Sequence, residues 1–126
     1  MNIETSQLKE YLHKIARKSL DGQIPWSQPN PSTFQWVQIS DDKYFIVTIQ
    51  KAETPRSLKA KFSLDQLLDG ESVYLFQVQD RTNKQTEISL SSKERPDFFE
   101  PLAAIYHGAE KGMDVRATNV LRRLLD

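Results

Sequence analysis

Two histidines, His13 and His107, and one adjacent pair of acids, Asp41 and Asp42, are the side chains of this 126-residue chain best suited to proton transfer or metal binding. A Ser–His–Asp hydrolase needs an imidazole that a partner orients, and neither histidine belongs to a motif such as H-E-x-x-H. Zinc takes four ligands, mostly Cys and His. With no cysteine and two isolated histidines, a structural zinc site is not expected. The missing cysteines also exclude disulfides and a thiolate nucleophile. Asp41-Asp42 reads as turn chemistry, because aspartate side chains bond the local backbone there. Asp65, Asp69 and Glu71 lack the order of an EF-hand loop. The four glycines form neither G-x-G-x-x-G nor a P-loop, which removes nucleotide cradling. These residue types predict a non-enzymatic chain with no catalytic residue, no metal and no cofactor.

The bulk composition narrows the remaining classes. With 38% hydrophobic and 10% aromatic residues, the chain is too apolar for disorder. Its length suits a single domain over residues 1–126. Seventeen basic and 17 acidic residues leave no net charge, whereas a duplex-DNA binder carries a basic excess. No stretch approaches the roughly 18 apolar residues of a membrane span, and "MNIETSQLKEYLHK" has no secretory pattern. The expectation is a cytoplasmic protein with no membrane contact.

The elements that must position any site follow from periodicity. Leu8, Tyr11, Leu12, Ile15, Ala16 and Leu20 recur at three- and four-residue steps, predicting a helix. Thr5 or Ser6 is placed to cap it and Gly22 to end it. Lys9, Lys14, Arg17 and Lys18 lie opposite the stripe, as a solvated face or an anion- or partner-binding patch. Beyond the proline-rich "GQIPWSQPNPSTFQW" the period changes to two. "TFQWVQI" and "KYFIVTIQ" flank Ser40–Lys43 as a hairpin. The second of these strands, apolar on both faces, is expected to be central and covered on both sides. Residues 57–70 read as strand or as one helical turn. "SVYLFQVQD" and "QTEISLS" form a second hairpin, with Asn83 suited to the backbone its turn needs.

Toward the C-terminus, Asp97-x-x-Glu100 is a capping signal with Pro101 in the first turn. Phe98, Leu102, Ile105, Tyr106 and Ala109 make a stripe that Gly112 is expected to end. Asp114 then caps a short last helix with Val115, Leu121, Leu124 and Leu125 inward. The order predicts an α+β fold: an N-terminal helix, a four- to five-stranded antiparallel sheet, and one or two C-terminal helices packed on the sheet.

Function must then come from a surface. Tyr44, Phe45, Tyr74 and Phe76 lie on strands, as a nucleic-acid stacking platform would need, but their flanks are not basic and they read better as core. The stretch "GQIPWSQPNPSTFQW" concentrates prolines and tryptophans, and prolines also make an irregular crossing cheaper to order. Trp26, Pro29 and Pro31 on this loop, with Arg17 and Lys18 beside them, are the expected partner-binding residues, since exposed aromatic and arginine side chains dominate interface hot spots. The leading expectation is protein–protein interaction with an unidentified partner. Weak single-stranded nucleic-acid binding through the first helix and this loop is the alternative.

Two resemblances accompany this reading. Gly22, Ile24 and Trp26, then Thr33 and Phe34, then Tyr74, Leu75, Phe76, Val78 and Asp80, with the final "LRRLLD", resemble a loosely related set of small uncharacterised bacterial proteins. That resemblance covers most of the chain and implies an α+β fold with an accessory role. Locally, Leu20, Gly22, Pro25, Trp26 and Pro29 are similar to the start of the ArdC-type antirestriction proteins, whose N-terminal domain binds single-stranded DNA. The Leu20–Gly22 spacing is one residue shorter than in that pattern.

Overall fold

The computed structural model describes residues 4–53 and 72–126; the 57–70 segment lies outside the described residues. Helix α1 (Thr5–Leu20) leads into strands β1 (Ser27–Asn30), β2 (Thr33–Ser40), β3 (Lys43–Glu53), β4 (Ser72–Asp80) and β5 (Gln85–Ser91). A 3-10 turn at Pro96–Phe98 then opens helix α2 (Phe99–Leu125). The strands pair antiparallel in the order β1-β2-β3-β4-β5. This is the expected α+β fold, with one C-terminal helix.

Alternation puts rows of apolar side chains across the sheet. Phe34 pairs with Ile49, Ile49 with Phe76 and Phe76 with Leu90. Trp36, Val47, Val78 and Ile88 form the next row. Helix α2 contacts β2, β3 and β4 and adds Leu102, Ile105, Tyr106 and Ala109 to the core, while α1 adds Leu8, Leu12 and Ala16. The Tyr106 ring meets Phe34 edge-on at 5.1 Å. Among the described residues no buried side-chain nitrogen or oxygen lacks a hydrogen-bond partner.

Strand β3 is central, as its composition predicts, but the cover it receives from the described residues is on the Val47 and Ile49 face. On the opposite face Val37, Ile39 and Tyr44 are exposed. The hairpin before β3 turns on Asp41 and Asp42 with φ of 48° and 65°. Both central residues are left-handed, the geometry whose twist matches a two-residue hairpin. In the β4–β5 turn the left-handed residue is Lys84 (φ 54°), not Asn83. Asn83 serves through its side chain: its amide donates to Asp80 Oδ2 at 3.1 Å, while Thr82 N–H donates to Oδ1 at 3.0 Å. Asp80, almost wholly buried, is therefore held by its own turn.

Helix ends differ from the sequence reading in instructive ways. Helix α1 starts after Glu4 with no side-chain cap from Thr5 or Ser6. Its C-terminus is closed as expected: Gly22 has φ 74°, its N–H donates to Ser19 O and Gln23 N–H to Lys18 O. This is the double hydrogen-bond closure that a left-handed residue permits. Asp97 does not cap α2. It accepts from Arg95 Nε at 3.1 Å and Nη2 at 2.9 Å, and lies 3.6 Å from Lys9 Nζ.

The largest correction concerns Gly112, which does not end a helix. Helix α2 runs unbroken for 27 residues, about 40 Å at 1.5 Å per residue. Gly112 is buried against α1, where an added Cβ would run into the Ser19 carbonyl oxygen. Gly108 is similar, its Cβ position lying 2.8 Å from Ala16 O. These two glycines let the helix backbones approach closely. The 16 residues of α1 cannot accompany all of α2. Val115, Leu121, Leu124 and Leu125 are consequently exposed rather than inward.

Candidate functional site: the outer face of the helix pair

Helices α1 and α2 run in parallel. Lys9 lies beside Asp97, Ala16 beside Gly108, and Ser19 and Gly22 beside Gly112. This register brings together two residues that the sequence keeps far apart. His13 and His107 line one groove of about 590 Å³ between the helices, with Ala16, Arg17 and Leu20 from α1 and Ala104, Gly108 and Lys111 from α2. His13 and Arg17 stand four apart on one rim, and His107 and Lys111 four apart on the other. The His107 ring meets Tyr106 at 5.9 Å, close to perpendicular. Among the described residues no group of three or more His, Cys, Asp or Glu could hold a metal ion. The groove therefore offers cationic and hydrogen-bonding rims over an apolar floor.

On the other side of α1 a hollow of about 390 Å³ is lined by Tyr11, Lys14, Ile15, Lys18, Gln23, Ile24 and Trp36. Tyr11 is half exposed and Lys14 Nζ stands 5.8 Å from its ring centroid. Trp36 is half-buried.

The five residues expected to bind a partner do not form one patch. Trp26 is 1% exposed and belongs to the core. Its indole N–H donates to Ser19 Oγ at 2.8 Å, and its ring meets Trp36 at 5.8 Å. The loop cannot present this ring, which is held inside against Ser19 of α1 and Trp36 of β2. Arg116 Nη1, from α2, donates to the carbonyls of Ile24 (3.2 Å) and Trp26 (2.9 Å). Arg17 lines the groove, whereas Lys18 lines the hollow. Pro29 and Pro31 are exposed on β1 and the turn after it. Proline suits an edge strand, where its missing N–H costs no ladder bond. Of the strand aromatics, Tyr74 and Phe76 are buried and Tyr44 is exposed.

The end of α2, whose periodicity predicts an inward face, is the most exposed apolar feature of the described residues. Val120, Leu121, Leu124 and Leu125 are 55% to 87% exposed and are interleaved with Arg122 and Arg123.

Hydrogen bonding to Arg95 holds the Asp97 carboxyl below the ordinary carboxylate range, with the charges of Arg95 and Lys9 adding to it. A group whose folded pKa is depressed adds stability above its unfolded pKa, and that stability fades as pH falls through the folded value. Asp97→Asn should therefore flatten the acid limb of a pH–stability curve slightly and leave neutral stability nearly unchanged. The effect is small because the pair is open to solvent. Urea midpoints between pH 2 and pH 7 would check this, and a steep loss at neutral pH would contradict it.

No protein-family model, curated protein or solved structure matches this chain.

Proposed function

We propose that this chain is a non-enzymatic accessory or regulatory domain of a bacterial cell that acts in the cytoplasm by binding a partner protein. The observation that carries this reading is the uncovered apolar end of α2. Contiguous exposed aliphatic surface of this kind marks interaction sites in folded proteins. Leucines interleaved with Arg122 and Arg123 suit a partner that offers an apolar groove with acidic margins. The resemblance to small uncharacterised bacterial proteins, which implies an accessory role, supports the same reading.

Leu121→Ser/Leu124→Ser tests it. Because both side chains are exposed, the melting temperature should stay within about 2 °C of the parent. Co-purification of the cognate partner should be lost, together with any self-association seen by light scattering. Unchanged association in the double variant would sink this reading.

The hollow beside α1 favours a second reading, weak single-stranded nucleic-acid binding. Tyr11 and Trp36 would supply rings for stacking, and Lys14 and Lys18 would contact phosphates. The local similarity to the ArdC-type proteins supports it as well, although Trp26 is withdrawn into the core. Salt-dependent, micromolar binding of a single strand in fluorescence anisotropy, abolished by Tyr11→Ala, would put this reading first.

A further inference from the structure

We propose that the groove between α1 and α2 is a receptor for an acidic amphipathic helix of a partner protein, a site distinct from the leucine end of α2. Three features of the groove select this occupant.

The first is shape. The floor is made of Ala16, Ala104 and Gly108, whose small side chains leave a trough of about 590 Å³ where two parallel helices would otherwise close over each other. It spans residues 13 to 20 of α1 and 104 to 111 of α2, roughly two helical turns or 10 Å. A third helix seated in such a trough touches both walls at once, through aliphatic residues three and four apart.

The second is charge. No carboxylate lines the groove, and its rims carry Arg17 and Lys111 with His13 and His107. Lys9 and Arg95 pair with Asp97, and Lys14 pairs with Glu10. Arg17 and Lys111 have no such partner among the described residues. Each rim repeats at four residues, the spacing at which Glu or Asp on the flank of a docked helix would meet it. Cations on both walls call for acids on both flanks of the occupant.

The third is what the groove rejects. The end of α2 from a second copy brings Arg122 and Arg123 beside its leucines, which places like charges against the rims. A single-stranded nucleic acid would find the rings of His13 and His107 on the rims, but a floor of Ala16, Ala104 and Gly108 that gives bases nothing to stack on. A small carboxylate can engage one rim and leaves the other without a counter-charge.

The test titrates the isotope-labelled full chain with a synthetic 15-residue helical peptide carrying Leu and Ala on one face and Glu on both flanks. Amide shifts should concentrate in residues 13–20 and 104–111. Raising salt should weaken binding, and Arg17→Glu/Lys111→Glu should weaken it at least tenfold without moving the melting temperature. Leu121→Ser/Leu124→Ser should bind the peptide as the parent does, so that the two surfaces fail or stand separately. The proposal is overturned if the peptide does not bind at millimolar concentration, or if a scrambled peptide of the same composition binds equally. It is likewise overturned if the charge-reversed variant binds as tightly, or if octanoate gives the same shifts at lower concentration than the peptide.

Discussion

Gly112→Ala should cost this domain about 3 kcal/mol or more of stability, read as a large drop in urea midpoint or as failure to accumulate folded protein. The new Cβ would overlap the Ser19 carbonyl oxygen, a backbone atom that no rotamer change can move aside. Relief requires α1 and α2 to separate. Separation in turn loosens the core contacts of Leu12, Ala16, Ile105 and Ala109. Alanine gains about 1 kcal/mol of intrinsic helix preference over glycine, which opposes the clash and is smaller than it. Gly108→Ala provides a graded comparison. Its Cβ would stand 2.8 Å from Ala16 O and 3.1 Å from Ser19 Cβ, so the same direction with a smaller loss is expected. A Gly112→Ala protein as stable as the parent, or more so, would mean that the helices do not approach as described.

The same glycine shows where sequence reading stops. A glycine at the end of an apolar stripe is consistent with a helix stop and with a close helix contact, and local sequence does not separate the two. The distinction lies in Ser19, on another helix. Features that depend on neighbours in sequence were readable: the two hairpins, the paired aspartates of the β2–β3 turn and the left-handed Gly22. The composition of β3, apolar on both faces, did not tell that the Val47 and Ile49 face would be the buried one. Periodicity reported that Leu121 and Leu124 share an apolar face, but not that α1 ends too early to cover them.

The candidate groove was less legible still. His13 and Arg17, like His107 and Lys111, are four apart, a spacing visible in the sequence. Joining the two pairs requires the parallel register of α1 and α2, which tertiary packing sets through Ala16, Gly108 and Gly112. Arg17, on the basic face that the helical period predicts for α1, does line that groove.

Trp26→Ala is expected to destabilise the domain by about 3–5 kcal/mol, the range for deleting a buried large aromatic. For a chain of this size that corresponds to a melting temperature lower by on the order of 10–20 °C. The indole is 1% exposed, packs edge-on against Trp36 and donates to Ser19 Oγ, which itself donates to Ile15 O at 2.6 Å. Ring and hydrogen bond can be separated. Ser19→Ala keeps the ring but leaves a buried indole N–H without its acceptor, which should cost about 1–3 kcal/mol. Trp26→Phe keeps much of the apolar bulk and removes the donor along with the need to satisfy it. Its loss should fall well short of that of Trp26→Ala. In the Trp26→Phe background, Ser19→Ala should cost less than in the parent, and that difference measures the coupling. These outcomes also decide what the proline-rich loop is for. If Trp26→Ala left the melting temperature intact and abolished partner capture, the ring would be a contact residue and the packing described above would be wrong. Loss of stability instead makes Pro29 and Pro31 the exposed trim of an edge strand, with Trp26 the pin that fastens the loop beneath both helices.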